Sequence, residues 1–222
     1  MEWVVLALSI IFVIFSWLII QGTRAALAYR RQAAAGDVSV IRDLAEDAIS
    51  VWRSQKRPKP VPAEVWRGIQ SMQLGDVGPD YVRVSVRAEG DYKLVEGRWQ
   101  ESAGPLEAGM AITAEAADLL LYELPHCRLA KAQIDVYTAF READGRSDLQ
   151  CILSTIASRE AAQRVDWEEW PAADIVEALG GRYRLDERGR ALPVDPDEVS
   201  VSPRPVGEKD AKGDGREAAT PP

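Results

Sequence analysis

Two alternating strands that flank Asp144-Gly145 constrain the fold more than any other part of the sequence. In 133–140, QIDVYTAF, and in 149–156, LQCILSTI, apolar residues recur at about every second position, as in strands with one buried face. Asp-Gly is a preferred two-residue hairpin turn, so the strands are predicted to pair around it. A register shifted by one residue would place polar side chains among the apolar ones. The predicted pairs are Phe140–Leu149, Thr138–Cys151, Val136–Leu153 and Ile134–Thr155.

The preceding segments complete an α+β domain. The segment 81–87, YVRVSVR, alternates valine with polar residues and predicts a strand, and 92–100 is expected to return beside it as a hairpin partner. Between Pro105 and Pro125 apolar residues recur at helical spacing. With a helix after the second hairpin, the order is ββαββα. It predicts two β-hairpins separated by a helix, in a small antiparallel sheet with its helices on one face.

Turn-forming residues mark the limits of further elements. A helix is predicted over 62–74, where Gly75 can close it, and another begins at Pro171 and ends at Gly180. A last small hairpin is expected to turn at Arg188-Gly189.

The N-terminus carries a long apolar segment. From Trp3 to Ile20 there are 18 residues without a charge, which as a helix would extend roughly 27 Å, close to the thickness of the hydrocarbon core of a bilayer. This predicts an N-terminal transmembrane helix. A cleaved signal peptide is the less favoured alternative, because no basic residue precedes the segment. The residues predicted to span the membrane include Trp3, Val4, Leu8, Phe12, Phe15, Trp17 and Ile20.

Basic residues close to this segment predict its orientation. Arg24, Arg30 and Arg31 follow it and no basic side chain precedes it, so the positive-inside rule places the N-terminus outside and the C-terminal domain in the cytoplasm. The predicted localisation is the cell inner or plasma membrane, with a single pass. The integral membrane contact and a protein partner are the expected interactions. The net charge of −8 argues against nucleic acid, whose partners usually carry a concentrated basic surface.

A second helix is predicted after Asp37, a suitable N-cap. In 38–53 apolar residues recur at spacings of three and four, while the polar face mixes bases with acids. A helix lying on a membrane would prefer a basic polar face. Packing against its own domain or against a partner helix is therefore favoured.

One basic cluster, 53–60, RSQKRPKP, lies between this helix and the domain. A solvated linker is the favoured interpretation, and contact with anionic lipid headgroups is the alternative. The residues predicted to make such headgroup contacts are Arg24, Arg30, Arg31, Arg53, Lys56, Arg57 and Lys59.

Composition divides the chain into four parts. From Pro193 onward there are six prolines and no aromatic residue, so this tail is predicted to be disordered. The predicted parts are a transmembrane anchor at 1–21, a juxtamembrane helical region with a Pro-rich linker at 22–62, a cytoplasmic α+β domain at 63–192 and a disordered tail at 193–222.

Few residues suggest chemistry. Cys127 and Cys151 are predicted to be too far apart for a disulfide and to be reduced thiols, and His126 is the single histidine. No set of soft ligands for zinc and no phosphate-binding glycine loop is present in the sequence. Asp135 is expected to face water. The sequence therefore predicts no catalytic, cofactor-binding or metal-binding residue. A cluster of acids is attributed to helix capping, with a hard cation as the alternative; it comprises Asp166, Glu168, Glu169, Asp174 and Glu177.

The resulting functional hypothesis is a single-pass membrane protein whose cytoplasmic α+β module binds a partner protein, in an assembly, scaffolding or regulatory role without catalysis. The alternative is a membrane-tethered enzyme that uses carboxylates, with a divalent cation as an optional component. A lipid-surface sensor that uses the cluster from Arg53 to Lys59 is the third hypothesis.

Overall fold

The computed structural model describes residues 31–95, 98–124, 127–141 and 147–201, together with Trp3, Phe12, Ser16, Trp17 and Ala28. The helices are α1 (Val38–Ser54), α2 (Ala63–Gln70), α3 (Pro105–Asp118), which continues as a π-helical turn (Leu119–Glu123), α4 (Arg159–Ala162) and α5 (Ala172–Ala178). The strands are β1 (Gln73–Val77), β2 (Tyr81–Arg87), β3 (Asp91–Val95), β4 (Arg98–Ala103), β5 (Lys131–Arg141), β6 (Ser147–Ser158), β7 (Arg182–Leu185) and β8 (Ala191–Leu192).

Six of these strands form one mixed sheet in the order β1-β2-β5-β6-β7-β8, and β3 and β4 form a separate two-stranded ribbon. Strands β2 and β5 are parallel, whereas the other neighbouring pairs are antiparallel. The α+β class holds, but the predicted antiparallel sheet of two hairpins is wrong. The strand that follows β2 in the chain is not its hairpin partner. Instead, β3, β4 and α3 form a crossover that returns the chain beside β2 in the same direction.

Helix α3 packs closely on one face of the sheet. A Cβ added at Gly109 would lie 3.0 Å from Val136 Cγ1, and one added at Gly68 of α2 would lie 2.3 Å from Ile112 Cδ1 of α3. These two glycines therefore allow α3 to contact both β5 and α2 at short range. The core between the helices and the sheet is apolar and includes the alternating Val82, Val84 and Val86 of β2.

Helix α1 belongs to the same core, which confirms packing against its own domain. The Asp37 side chain caps it by accepting hydrogen bonds from Ser39 N and Val40 N. Ile41, Ala45 and Ile49 are among its buried residues. The amphipathic pattern was therefore a correct guide to which side of the helix is buried.

The β5–β6 hairpin has the predicted register only in the half that is farther from its turn. Val136 pairs with Leu153 and Ile134 with Thr155, as expected, but Tyr137 pairs with Cys151 across a β-bulge. One additional residue of β6, Ile152, is accommodated there. The bulge shifts by one residue the pairs that lie between it and the turn, and it places Cys151 on the same face as Tyr137.

Strand β1 occupies residues where a helix was predicted. Helix α2 ends at Gln70, and residues from Gln73 pair with β2 instead. The sequence Gln-Leu-Gly-Asp-Val has weak intrinsic strand propensity. Its antiparallel pairing with β2, the next strand along the chain, therefore determines its conformation.

The structure does not support the predicted membrane anchor. Among the described residues, no helix is both long and apolar enough to cross a bilayer. The predictions of a single-pass protein in the inner or plasma membrane, with its N-terminus outside and a cytoplasmic domain, are corrected accordingly. Hydropathy identifies an apolar segment, but it does not establish a spanning helix. Of the predicted spanning residues, Trp3, Phe12 and Trp17 are exposed, and Val4, Leu8, Phe15 and Ile20 lie outside the described residues.

The segment predicted to be a disordered tail is in part ordered. Residues 194–201, here named the strap, lie against the sheet, beginning with a 2.8 Å hydrogen bond from Val194 N to Cys151 O. Composition predicted too little apolar burial to order this segment. Hydrogen bonds and ion pairs with the sheet fix it instead. Residues 202–222 lie outside the described part of the chain.

Candidate functional site

The face of the sheet opposite α3, here named the open face, carries mostly polar side chains. Side chains alternate along a strand, so the residues of β2 that lie between its core valines point to this face. The residues that pair with them in β5 and β6 lie on the same face. The register places Ser85, Asp135 and Ser154 in one row across three strands. The open face is formed chiefly by Arg83, Ser85, Gln133, Asp135, Tyr137, Cys151 and Ser154.

Asp135 is the centre of a hydrogen-bond network on the open face. Its carboxylate accepts hydrogen bonds from Arg83 Nε at 2.7 Å, Ser154 Oγ at 2.7 Å and Gln133 Nε2 at 3.1 Å. Asp135 was expected to face water, but it is only 2% exposed. The expectation is wrong because the strap covers the strand. Three donors satisfy the carboxylate, as a buried charge requires.

Arg83 connects this network to the strap. Its Nε bonds Asp135, and its Nη1 lies 2.6 Å from Asp197 Oδ1 of the strap. Burial by itself would lower the pKa of the Arg83 guanidinium, but the hydrogen bonds and charges of Asp135 and Asp197 outweigh it and raise the pKa. Arg83 is therefore a fixed cation that Asp135 orients from the sheet.

Gln133 holds the strap through main-chain contacts. This fully buried side chain donates from Nε2 to Pro196 O at 3.1 Å and accepts at Oε1 from Val201 N at 2.9 Å. The strap turns at the first of these points, since Asp195 Oδ1 accepts from Asp197 N at 2.9 Å. One amide side chain thus bonds the strap at this turn and again at Val201.

The acids of the strap face arginines of the sheet. While Asp197 pairs with Arg83 of β2, Glu198 Oε2 lies 3.4 Å from Arg182 Nη1 of β7. Arg182 also donates from Nη2 to Val199 O at 3.2 Å. The strap therefore crosses the strands from β2 to β7, and opposite charges fix its position.

Two shallow clefts that share Ser85 and Tyr137 extend the open face. One, of about 350 Å³, is lined by residues that include Asp76, Arg83 and Tyr137. The other, of about 240 Å³, is lined by residues that include Arg87, Tyr137 and Leu149. Leu149 is 45% exposed. Tyrosine, arginine and an exposed leucine form a surface whose aromatic and arginine content resembles that of protein interfaces.

Cys151 is not an activated nucleophile. Burial, assisted by the charge of Asp135, raises the pKa of its thiol to about 12. Burial likewise raises the pKa of the Cys127 thiol. Both cysteines are free and buried, so at neutral pH both remain protonated. A thiol nucleophile would need the opposite shift.

The predicted basic cluster is partly used for contacts within the chain. Arg53 donates from Nε to Met72 O at 3.1 Å, and also from Nη2. Arg57 donates from Nη1 to Val61 O at 3.0 Å. These contacts fix the segment between α1 and α2. Among the other predicted headgroup contacts, the exposed residues are Arg31, Lys56 and Lys59, and Arg24 and Arg30 lie outside the described residues.

The acidic cluster has a local role. Asp166 Oδ1 accepts hydrogen bonds from Glu168 N at 3.2 Å and Glu169 N at 3.1 Å, as a capping residue does. Within the ranges that the structure describes, no three His, Cys, Asp or Glu residues are grouped to hold a metal ion. His126 lies outside these ranges.

The residues of the open face were missed because their partners are distant in sequence. Gln133, Asp135 and Tyr137 alternate along one strand, which indicated a common face but not what covers it. Arg83 contacts Asp135 across 52 positions and Asp197 across 114. The available signal was charge complementarity between an acidic C-terminal segment and the arginines of β2 and β7.

No match was found when the chain was compared with protein families, with curated proteins and with solved structures.

Proposed function

We propose that this protein is a non-catalytic protein-binding module that recognises its partner through the open face of the sheet. The observation that carries the proposal is the strap: a peptide segment is held on this face by an amide that bonds its main chain and by two arginines that bond its acids. A face that binds one such segment has the donors and acceptors to bind another.

The uncovered part of the open face supplies the remaining contact area. Arg87, Tyr137 and Leu149 line a cleft on this face. Tyrosine and arginine side chains contribute much of the binding energy at protein interfaces when a partner covers them, and the exposed leucine adds apolar area. The partner would therefore contact both this cleft and the arginines near it.

Two features of the open face support binding without catalysis. The Asp135 carboxylate is occupied by three donors and is nearly inaccessible. The nearby Cys151 thiol has a raised pKa. A general base or a nucleophile must reach the atom on which it acts, and both groups are positioned for structural contacts instead.

The test is affinity capture with the full chain as bait, followed by mass spectrometry. The variant Arg87→Glu/Leu149→Glu alters the cleft at exposed side chains. The matched control, Arg164→Glu, reverses a charge at a residue of the surface after α4 that is 75% exposed. We expect a reproducible partner that the wild-type chain and the control capture equally, and that the cleft variant captures roughly ten-fold less, because a central contact of this kind contributes about 1.4 kcal/mol or more.

Two results would contradict the proposal. One is the absence of any reproducible partner. The other is a partner whose recovery does not change in the cleft variant while circular dichroism shows that this variant is folded.

A further inference from the structure

We infer that the strap is a built-in competitor, and that the partner segment which takes its place is an acidic turn with two adjacent carboxylates. This inference rests on the proposed function, since it names the partner chemistry and the regulation of the same face. It follows from three properties of the strap: its chemistry, its water-exposed attachment and its tether.

The chemistry of the strap defines what the face accepts. The sequence 194–201, VDPDEVSV, contains three acids and no base. Adjacent carboxylates of Asp197 and Glu198 contact arginines on two different strands, β2 and β7. In the strap, the hydrogen-bond partners of Gln133 are main-chain atoms, Pro196 O and Val201 N. The face therefore selects a turn with acids at these two positions and is indifferent to most of its other side chains.

The attachment of the strap is suited to exchange. No residue of the strap is buried, and the side chains of Asp197 and Glu198 are 69% and 74% exposed. Water reaches the carboxylate of each ion pair and screens its charge, and no apolar side chain of the strap belongs to the core. The strap can therefore leave the face without opening the helix-covered side of the sheet.

The face remains ordered when the strap leaves. Asp135 keeps its hydrogen bonds from Arg83, Ser154 and Gln133, none of which belongs to the strap. Arg83 thus stays oriented toward the surface, with Nη1 accessible to another carboxylate. A preorganised cation of this kind reduces the ordering cost that a partner must offset.

The tether makes the strap an effective competitor. The strap follows β8 directly, so its local concentration at the face is high, of the order of millimolar for a short connection. A segment in trans binds only the fraction of molecules whose face is free, and its apparent affinity falls by that fraction. Releasing the strap should therefore increase the affinity for an acidic partner segment.

The test measures binding of a fluorescent peptide with the strap sequence, residues 193–201, to the full chain by anisotropy. The variant Asp197→Lys/Glu198→Lys repels the strap from Arg83 and Arg182 without changing the face. We expect it to bind the peptide roughly ten-fold more tightly than the wild-type chain does, as for a face that is about nine-tenths occupied. A peptide with Asn and Gln in place of the acids should bind much more weakly.

A third variant distinguishes the contribution of the face from that of the strap. Adding Arg182→Glu to the released variant should abolish the gain, because the second carboxylate loses its partner. Thermal unfolding monitored by circular dichroism checks that each variant is folded. The inference is overturned if the released and wild-type chains bind the peptide equally, or if the neutral peptide binds as well as the acidic one.

The failure of this inference can be distinguished from failure of the proposed function. If the cleft variant loses its partner but the released variant captures no more of it than the wild-type chain does, the binding face stands and the strap is not a competitor. If the cleft variant retains its partner, the proposed function fails whatever the strap does.

Discussion

Ile134 and Asp135 are neighbours in β5, yet they are buried by different means. Ile134 lies in the apolar core on the helix-covered face, whereas Asp135 lies on the open face beneath a short strap. The helix-covered face is held by close packing, including the short approach at Gly109. The open face is held by directed hydrogen bonds. The comparison teaches that one sheet can combine a permanent interface with an exchangeable one.

The largest effect should come from the helix-covered face. Ile134→Ala should lower the free energy of unfolding by about 3 kcal/mol, because it removes a fully buried side chain and leaves a cavity. Chemical denaturation measures this change. The control is Leu149→Ala on the open face, which is 45% exposed and should change stability by about 0.5 kcal/mol or less. Equal losses for the two variants would remove the distinction between the faces.

A smaller effect should follow from breaking the ion pair of the open face. Asp135→Asn should cost about 2 kcal/mol, less than a fully buried pair, because Arg83 keeps Asp197 and is 19% exposed. Denaturation at neutral pH provides the measurement. If this cost arises because Arg83 loses the charge of Asp135, the double variant Arg83→Gln/Asp135→Asn should lose less stability than the two single variants lose in sum. A double variant that loses the full sum would show that the two residues act independently.

The smallest effect concerns the exclusion of water from the Cys151 side chain on the open face. The pKa of the Cys151 thiol is raised from 9.0 to about 12, so in alkaline solution the unfolded chain releases this proton while the folded chain retains it. Stability should therefore fall as pH rises from about 9 toward 12, and this thiol should contribute about 1.4 kcal/mol of the loss between pH 8 and pH 10.

Cys151→Ala removes that contribution, together with the smaller effect of the Cys151 charge on the pKa of Tyr137. Denaturation at the two pH values should show a loss smaller by about 1.4 kcal/mol in the variant. Parallel losses in the two proteins would indicate that water reaches Cys151 beneath the strap.

Local signals were sufficient for several elements. Gly180 and Gly189 adopt positive φ angles of 77° and 76°, which end α5 and form the turn between β7 and β8 where the sequence predicted them. Asp37 caps α1 as expected. In each case a few consecutive residues determine the conformation, so a pattern in the sequence is enough.

Pairing between strands explains the errors. Residues 73–77 form a strand because the next strand, β2, pairs with them. The parallel partner of β2 is β5, and the intervening 88–130 gave no sign that they form a crossover rather than a hairpin return. The β-bulge at Ile152 was missed as well, although the consecutive apolar residues Cys151, Ile152 and Leu153 interrupt the alternation there.

By itself, the sequence determined the cap of α1, the end of α5, the turn between β7 and β8 and the apolar sides of α1 and β2, because these properties depend on residues close together in the chain. Only the tertiary structure decided the mixed order of the sheet, the burial of Asp135 and the position of the strap. Each of these depends on contacts between segments far apart in sequence, such as Arg83 with Asp197. The energy of such contacts exists only after the chain has brought the partners together.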